Sequence, residues 1–231
     1  MKFEKLNGYK VFAPKKNELT DFKNIKNKIL VAMNANKILN ESDELREIVN
    51  TNLGYPDGFG ALLCLKQKKV DAVQIPGCEL WIDIIKKNPT KKYFFIGSTE
   101  IVIQKVIKKL KNEFPNINIL GYRNGYFEKL NQINQIKKNL KKLKPDLTFV
   151  AMGSPKQELF MNELKKVHNS TYMGLGGSFD VYSGLKKRAP KLFIYLKLEW
   201  FFRLITEPTR IHRQFYLFKF LLYFLTGRFS R

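Results

Sequence analysis

Tyr93-Phe94-Phe95-Ile96-Gly97-Ser98-Thr99-Glu100-Ile101-Val102 decides the fold class. An unbroken apolar run closes on Gly97-Ser98, and beyond it Ile101, Val102, Val106, Ile107 and Leu110 recur at helical spacing among lysines. Such a run, with no polar alternation, suits a strand buried on both faces, and the change of period after the turn marks a helix. The unit therefore reads as strand, turn and helix.

The same grammar extends outward in both directions. Ile117 to Leu120 reads as a strand turning at Gly121, followed by Tyr122-Arg123-Asn124-Gly125-Tyr126-Phe127 and a Lys-rich helix from Leu130 to Leu143. Leu147 to Met152 is a third strand, ending at Gly153-Ser154-Pro155, with Lys156-Gln157-Glu158 opening the next helix and Pro155 at a tolerated early position. A fourth, Tyr172 to Leu175, runs into Gly176-Gly177. Upstream, Lys28 to Met33 reads as a strand, and Tyr55-Pro56-Asp57-Gly58 as a turn leading into a helix over 58–65. Alternating strands and helices predict an α/β fold with a mostly parallel sheet flanked by helices. After about Pro190 the chain becomes dense in Phe, Tyr, Leu, Lys and Arg, which predicts a helical C-terminal appendage. The expected division is a core over 1–191 and an appendage over 192–231.

The 231 residues, 44% of them hydrophobic, suffice for one substantial core. Lys plus Arg number 42 against 20 acids, a formal charge of +22 that must be displayed outward. Nucleic acid, an anionic membrane surface and a diphosphate substrate all fit that surplus. Cys64 and Cys78 make no disulfide framework or metal motif and read as inert, partly buried thiols. Met1 to Lys16 lacks the continuous apolar core of a secretory signal, so a cytoplasmic location is expected. The most apolar stretch, Phe215 to Leu225, is short and interrupted by Lys219, so it can lie on a bilayer but not cross one.

The common nucleotide fingerprints fail, since no strand is followed by GxGxxG and GxxxxGK[ST] is absent, and without a GxSxG elbow no hydrolase triad is evident. His168 and His212 stand alone in Lys-rich surroundings and read as solvated. What remains is a set of polar turns at strand ends, where an open parallel sheet holds its ligands. Singly these turns say little: Pro56-Asp57-Gly58 is a turn signature, Gly176-Gly177 permits tight backbone, and Asn124-Gly125 closes a loop.

In order along the chain they are more informative. Asp57 in Pro-Asp-Gly-Phe-Gly, Gly121 with Asn124-Gly125-Tyr126-Phe127, and Gly153-Ser154-Pro155-Lys156-Gln157-Glu158 lead to Gly176-Gly177-Ser178-Phe179-Asp180, Gly184 and Arg188-Ala189-Pro190. Leu198-Glu199-Trp200-Phe201-Phe202-Arg203-Leu204, Glu207-Pro208, Arg210 and Arg213 complete the series. Over about residues 30 to 215 this resembles the WecG/TagA/CpsF glycosyltransferase family. The resemblance implies a Rossmann-like core of the type called GT-E, and an appendage that helps close the site and reach the membrane. It also implies inverting transfer of a hexose-type sugar from a UDP-sugar to a polyprenyl-diphosphate-linked sugar on the cytoplasmic leaflet, in cell-surface polysaccharide synthesis. Two positions depart from the family pattern. Ala32-Met33-Asn34 stands where many members have Thr-x-Asn, and Gln74 where an Arg often precedes the turn. They leave the donor open between N-acetylmannosamine, glucose, a uronic acid and another UDP-hexose.

Inverting transfer needs one base for the acceptor hydroxyl and fixed positive charge for the departing diphosphate. Asp57 is the candidate base, with an N-cap for the helix after Gly58 as its structural alternative. Arg203, Arg210 and Arg213 share a face if their segment is helical; by composition alone they read as solvated or as binding lipid phosphates, and the resemblance makes them the candidate diphosphate clamp. Asn34 and Gln157 are assigned to sugar or acceptor hydroxyls, and Gly97, Ser98, Asn124 and Gly125 to the nucleotide crevice. No metal is expected, for want of a DxD-type cluster, and no cofactor beyond the UDP-sugar donor. The aromatic tail flanked by arginines suits a shallow seat on anionic lipid, the alternative being packing on the domain's own core or a second subunit. A basic, non-catalytic α/β module for nucleic acid is the competing class. It is disfavoured because the aromatics gather beside arginines in the tail. A homo-oligomer remains an option.

Overall fold

The run Lys92–Gly97 is a strand buried from Tyr93 to Gly97, and the helix behind it spans Glu100–Glu113. The structure, a computed structural model, describes residues 1–127, 129–196, 198–207 and 212–229, without the side chains of Arg203 and of residues 212–215. The first half comprises β1 (Phe3–Leu6), β2 (Tyr9–Phe12), α1 (Lys16–Thr20), α2 (Phe22–Ile25), β3 (Ile29–Met33), α3 (Ala35–Ile38), α4 (Asp43–Thr51), β4 (Leu53–Pro56), α5 (Phe59–Gln67) and α6 (Gly77–Lys87). The second has β5 (Lys92–Gly97), α7 (Glu100–Glu113), β6 (Asn118–Arg123), α8 (Leu130–Leu143), β7 (Leu147–Ala151), α9 (Lys156–Val167), β8 (Thr171–Gly174) and α10 (Ser178–Tyr182). The C-terminal helices are α11 (Lys191–Tyr195), α12 (Glu199–Thr206) and α13 (His212–Leu225).

The strands form one sheet in the order β1-β2-β4-β3-β8-β7-β5-β6, parallel except for the β1–β2 hairpin. The α/β class and the helical C-terminal segment are as the sequence predicts. That hairpin and β4 are not in the sequence reading. Asn7-Gly8 closes the hairpin with both residues at positive φ, and Tyr55-Pro56, read as a turn, ends β4 against Ala32 and Met33. Gly121 is likewise no turn: β6 runs through it, and a Cβ there would lie 2.7 Å from the Phe94 ring. The glycine lets β6 pass a neighbouring aromatic side chain where the register shifts.

Strand residues alternate between two apolar layers. Val31, Met33, Phe94, Ile96 and Val150 face α3, α4, α5, α8, α9 and α13, whereas Tyr55, Tyr93, Phe95 and Phe149 face α1, α2, α6, α7 and α10. In the second layer Trp81 meets Phe149, Phe179 and Tyr182 with ring centroids 4.9–5.7 Å apart, so α6 is fixed against the sheet by an aromatic cluster. α13 is two-faced. Phe220 is buried and, with Phe229, joins the first layer, its ring 3.0 Å from where a Cβ on Gly60 would stand. Phe218, Leu221, Leu222 and Leu225, an i, i+3, i+4, i+7 stripe, are exposed. Packing on the domain's own core, the alternative reading of the tail, is realised on one face of the helix, and the other face is an uncovered apolar stripe.

Gly97 shows how tightly one strand end is built. Its φ is +138°, and a Cβ would lie 2.3 Å from the Ala151 carbonyl oxygen. Gly176, also left-handed at +55°, has nothing within 4 Å of such a Cβ. Gly97→Ala should therefore cost more than about 3 kcal/mol and Gly176→Ala about 1 kcal/mol, read as shifts in urea midpoint at constant slope.

Candidate active site

Parallel strands deliver their following loops to one edge, and seven of the predicted residues collect there in two groups. The first group is built on β3 and β4. Asn34 caps α3, its Oδ1 accepting from the Lys37 amide at 3.1 Å, and its Cβ lies 2.8 Å from where a Cβ on Gly58 would stand. Only glycine at 58 lets these two turns touch. The amides of Asp57 and Gly58 both donate to the Met33 carbonyl at 3.1 Å, which seats Asp57 beside Asn34.

The Asp57 carboxylate does not cap the helix that follows it. α5 is capped by Gly58 with no side-chain bond, and Asp57 Oδ1 accepts the Gly77 amide at 2.6 Å, at the first residue of α6. The N-cap alternative is thus realised on a helix 20 residues further along. The Gln74 amide donates to the Asp57 carbonyl at 2.8 Å, so one departure from the family pattern touches the backbone of the candidate base. Beneath it, the Tyr55 hydroxyl is buried without a partner; burial first, then the charges of Asp57, Cys78 and Glu158, push its pKa well above the ordinary value.

Gln157 lies lower than a sugar-binding residue would. It is 2% exposed, its Oε1 accepting from the Gly176 amide and its Nε2 donating to Glu158 Oε1, both at 2.9 Å. Glu158 is fully buried and pairs at 2.8 Å with Lys37 Nζ, which also donates to the Ala32 carbonyl at 2.8 Å. Asn34 and Gln157 are therefore joined through α3, Lys37 and Glu158. Lys37 is not singled out in the sequence, and Glu158 is named there only as the last residue of the Gly153–Glu158 block, with no role assigned. A lysine and a glutamate in Lys-rich helices carry no signal that they are buried together.

The second group is built on β5 and β6. Gly125 donates its amide to the Ser98 carbonyl at 2.8 Å, Ser98 Oγ donates to Asp180 Oδ1 at 3.2 Å, and Asn124 Nδ2 donates to Glu100 Oε2 at 2.6 Å. The Asn124 bond, then that from Gln104, holds the Glu100 carboxyl below its usual pKa. Gly97, Ser98, Asn124 and Gly125 thus come together as expected. Three strand intervals separate β5 from β3, roughly 14 Å at ordinary spacing, so the two groups stand apart along one edge, the first near the middle of the sheet and the second toward its β6 end.

Arg210 lies outside the described residues, as do the side chains of Arg203 and Arg213, whose backbones belong to α12 and α13. The helices that carry them arrive close to Asp57. Glu199, the first residue of α12, acts electrostatically on Cys78 and Arg188, and α13 rests on Gly60, three residues past Asp57. Burial pushes the Cys78 thiol up to about 11 and the Cys64 thiol to about 12, in keeping with inert cysteines. Among the described residues no group of three His, Cys, Asp or Glu is placed to hold a metal ion, and no helix is long and apolar enough to cross a membrane.

A family model described as Glycosyl transferase WecG/TagA/CpsF family matches residues 6–231, essentially the whole chain. The chain belongs to the WecG/TagA/CpsF family. As a member it is a glycosyltransferase, and the match takes in β2 and the whole C-terminal segment as well as the blocks legible in the sequence.

A buried ion pair gains little over an apolar pair but is costly to halve. Lys37→Met alone should destabilise the protein by about 3–5 kcal/mol, since it strands a buried carboxylate. The double substitution Lys37→Met with Glu158→Leu should recover most of that loss in the same urea titration.

Proposed function

We propose that this family member is an inverting hexosyltransferase, moving a sugar from a UDP-sugar to a polyprenyl-diphosphate-linked sugar at the inner face of the cell membrane, in cell-surface polysaccharide synthesis. The observation that carries the reading is Asp57: a half-buried carboxylate at the ligand edge of the sheet, oriented by the Gly77 amide and seated beside Asn34.

In the reaction proposed, the acceptor hydroxyl attacks the anomeric carbon from the face opposite the leaving group. As the new C–O bond forms, the bond to UDP breaks with its electron pair, and the hydroxyl proton passes to Asp57. The Gly77 amide on Oδ1 holds the carboxylate in place for that transfer. The Asn34 Nδ2 group, on the amide whose Oδ1 caps α3, donates to a sugar hydroxyl. Gln157 acts indirectly, by holding the Gly176 loop. The crevice of Gly97, Ser98, Asn124 and Gly125 takes the nucleotide, and the arginines of 203–213 meet the diphosphate in place of a metal ion. The core of 1–191 supplies the base, and the appendage of 192–231 supplies cations and the lipid contact.

Purified protein in EDTA, given a short-chain polyprenyl-diphosphate sugar and a panel of UDP-sugars, should release UDP with one or a few donors. Asp57→Asn should lower that rate at least about 100-fold while keeping the melting temperature near that of the parent. Full activity in Asp57→Asn would remove the carboxylate from the mechanism.

Membrane contact is supported by the uncovered stripe of α13. Deleting the tail would also strip Phe220 and Phe229 from the core, so substitution is the cleaner test. Serine at 218, 221, 222 and 225 should cut sedimentation with anionic vesicles more than about tenfold, as each apolar side chain contributes about 1.5–3 kcal/mol when buried. Solubility and catalysis on a short-chain acceptor should persist.

A further inference from the structure

Arg188 sits outside the assigned arginines, in the Arg-Ala-Pro segment that leads into the appendage. Its Nη2 donates to Glu79 Oε1, while its Nε is buried and has no partner among the described residues. Nε–H and Nη2–H lie on the same edge of the guanidinium plane, the pair that a bidentate oxyanion takes. Glu79 holds Nη2, and the Nε–H beside it is left over. The side chain as a whole is 34% exposed while Nε itself is covered, so an anion reaches that edge once the guanidinium turns away from Glu79.

Its position is defined by α6. Gly77, the first residue of that helix, holds Asp57, and Glu79, two residues on, holds Arg188; one helical turn rises only about 5.4 Å. The charged and titratable groups acting on Arg188 are Cys78, Glu79 and Glu199. Glu79 is also 3.8 Å from Lys16 Nζ, so it keeps a cation nearby if Arg188 turns away. A guanidinium with an unfilled edge, a half-exposed side chain and a replaceable partner, one turn from the candidate base, is placed to take an anion.

We propose that Arg188 binds a substrate diphosphate, exchanging its single bond to Glu79 for both oxygens of a phosphoryl group. The inference rests on the glycosyltransferase reading above and adds a core-borne cation to it. Two diphosphates occur in that reaction, one in the donor nucleotide and one on the acceptor lipid. In-line displacement sets the leaving UDP on the far side of the anomeric carbon from the attacking hydroxyl, so a cation sharing the base's helical turn lies on the acceptor side.

The test is calorimetric titration of the full-length protein with UDP and, separately, with farnesyl diphosphate, for the parent, Arg188→Gln, Arg188→Lys and Glu79→Gln. Arg188→Gln should weaken one titrant about tenfold or more, and Arg188→Lys, which keeps the charge but loses the fork, should fall between. Loss confined to farnesyl diphosphate assigns the residue to the acceptor, and loss confined to UDP assigns it to the donor. Glu79→Gln should tighten the same titrant, because it removes the competing carboxylate. If Arg188 served only to pair with Glu79, both single changes would weaken binding together or leave it unmoved, and either result overturns the proposal. A parent protein that binds neither titrant overturns the transferase reading as well; binding that Arg188→Gln leaves intact overturns only the role of Arg188. Melting curves for each variant exclude loss of fold as the cause.

Discussion

The bond from the Gly77 amide to Asp57 Oδ1 closes the candidate site. It joins the end of β4 to the start of α6, and the segment between them returns along the same path, with the Ile75 amide on the Pro56 carbonyl at 2.8 Å and the Gln74 side-chain Nε2 on the Asp57 carbonyl. A carboxylate at a helix N-terminus gains from the aligned peptide dipoles and satisfies a donor that no intrahelical partner can reach. α6 is itself fixed by Trp81 among Phe149, Phe179 and Tyr182. Asp57 is therefore positioned by the aromatic core of one face of the sheet, although it lies in a surface turn. Moving it would mean moving a packed helix.

A second constraint acts from the opposite face. Lys37 and Glu158 are buried where two apolar side chains would be at least as stable, because desolvating two charges offsets most of their attraction. What the pair supplies is connection: the ammonium holds the Ala32 carbonyl and Glu158, and Glu158 in turn holds Gln157, which holds Gly176. Three loops following β3, β7 and β8 are thereby fixed relative to one another by directional bonds, which shape complementarity alone would leave freer to slide. The two constraints meet at Asn34 and Gly58, whose turns touch because position 58 carries no Cβ.

Those parts of the fold that announce themselves locally were legible from the sequence. β5 and α7 follow from a change of hydrophobic period at Gly97-Ser98, and β7 and α9 from the same change at Gly153-Ser154-Pro155. β4 was not, because Leu53-Gly54-Tyr55-Pro56 contains the two residues that usually signal a turn; it becomes a strand through pairing with Ala32 and Met33, which is tertiary information. Gly121 misled for a related reason, its lack of a side chain answering to Phe94 on the neighbouring strand and not to a bend in its own. Within the site, the Pro-Asp-Gly setting of Asp57 by itself signals only a turn, and the residue stands out through the ordered series of motifs; its partner Gly77 does not, being 20 residues away and joined through a backbone amide. Arg188 was visible as part of a motif; its unfilled edge is visible only once Glu79 stands beside it.

The two faces of α13 bear on how such a site would meet a lipid-borne substrate. A helix bound to the protein only by a flexible tether would let the catalytic edge take any height above a bilayer. Here Phe220 and Phe229 anchor α13 in the same apolar layer as α3 and α5, and the N-terminal ends of those two helices carry Asn34 and Gly58. If the stripe of Phe218, Leu221, Leu222 and Leu225 lies among headgroups, the height of Asp57 above them is set by the thickness of packed protein, with no loop to vary it. A diphosphate is confined to the headgroup layer by its charge and its lipid, so only a base held at fixed height meets the attached sugar's hydroxyl in one register. On that argument the apolar contacts of Phe220 and Phe229 belong to substrate alignment as much as to stability. Loosening them should impair transfer to a membrane-embedded acceptor more than to a short-chain one in solution.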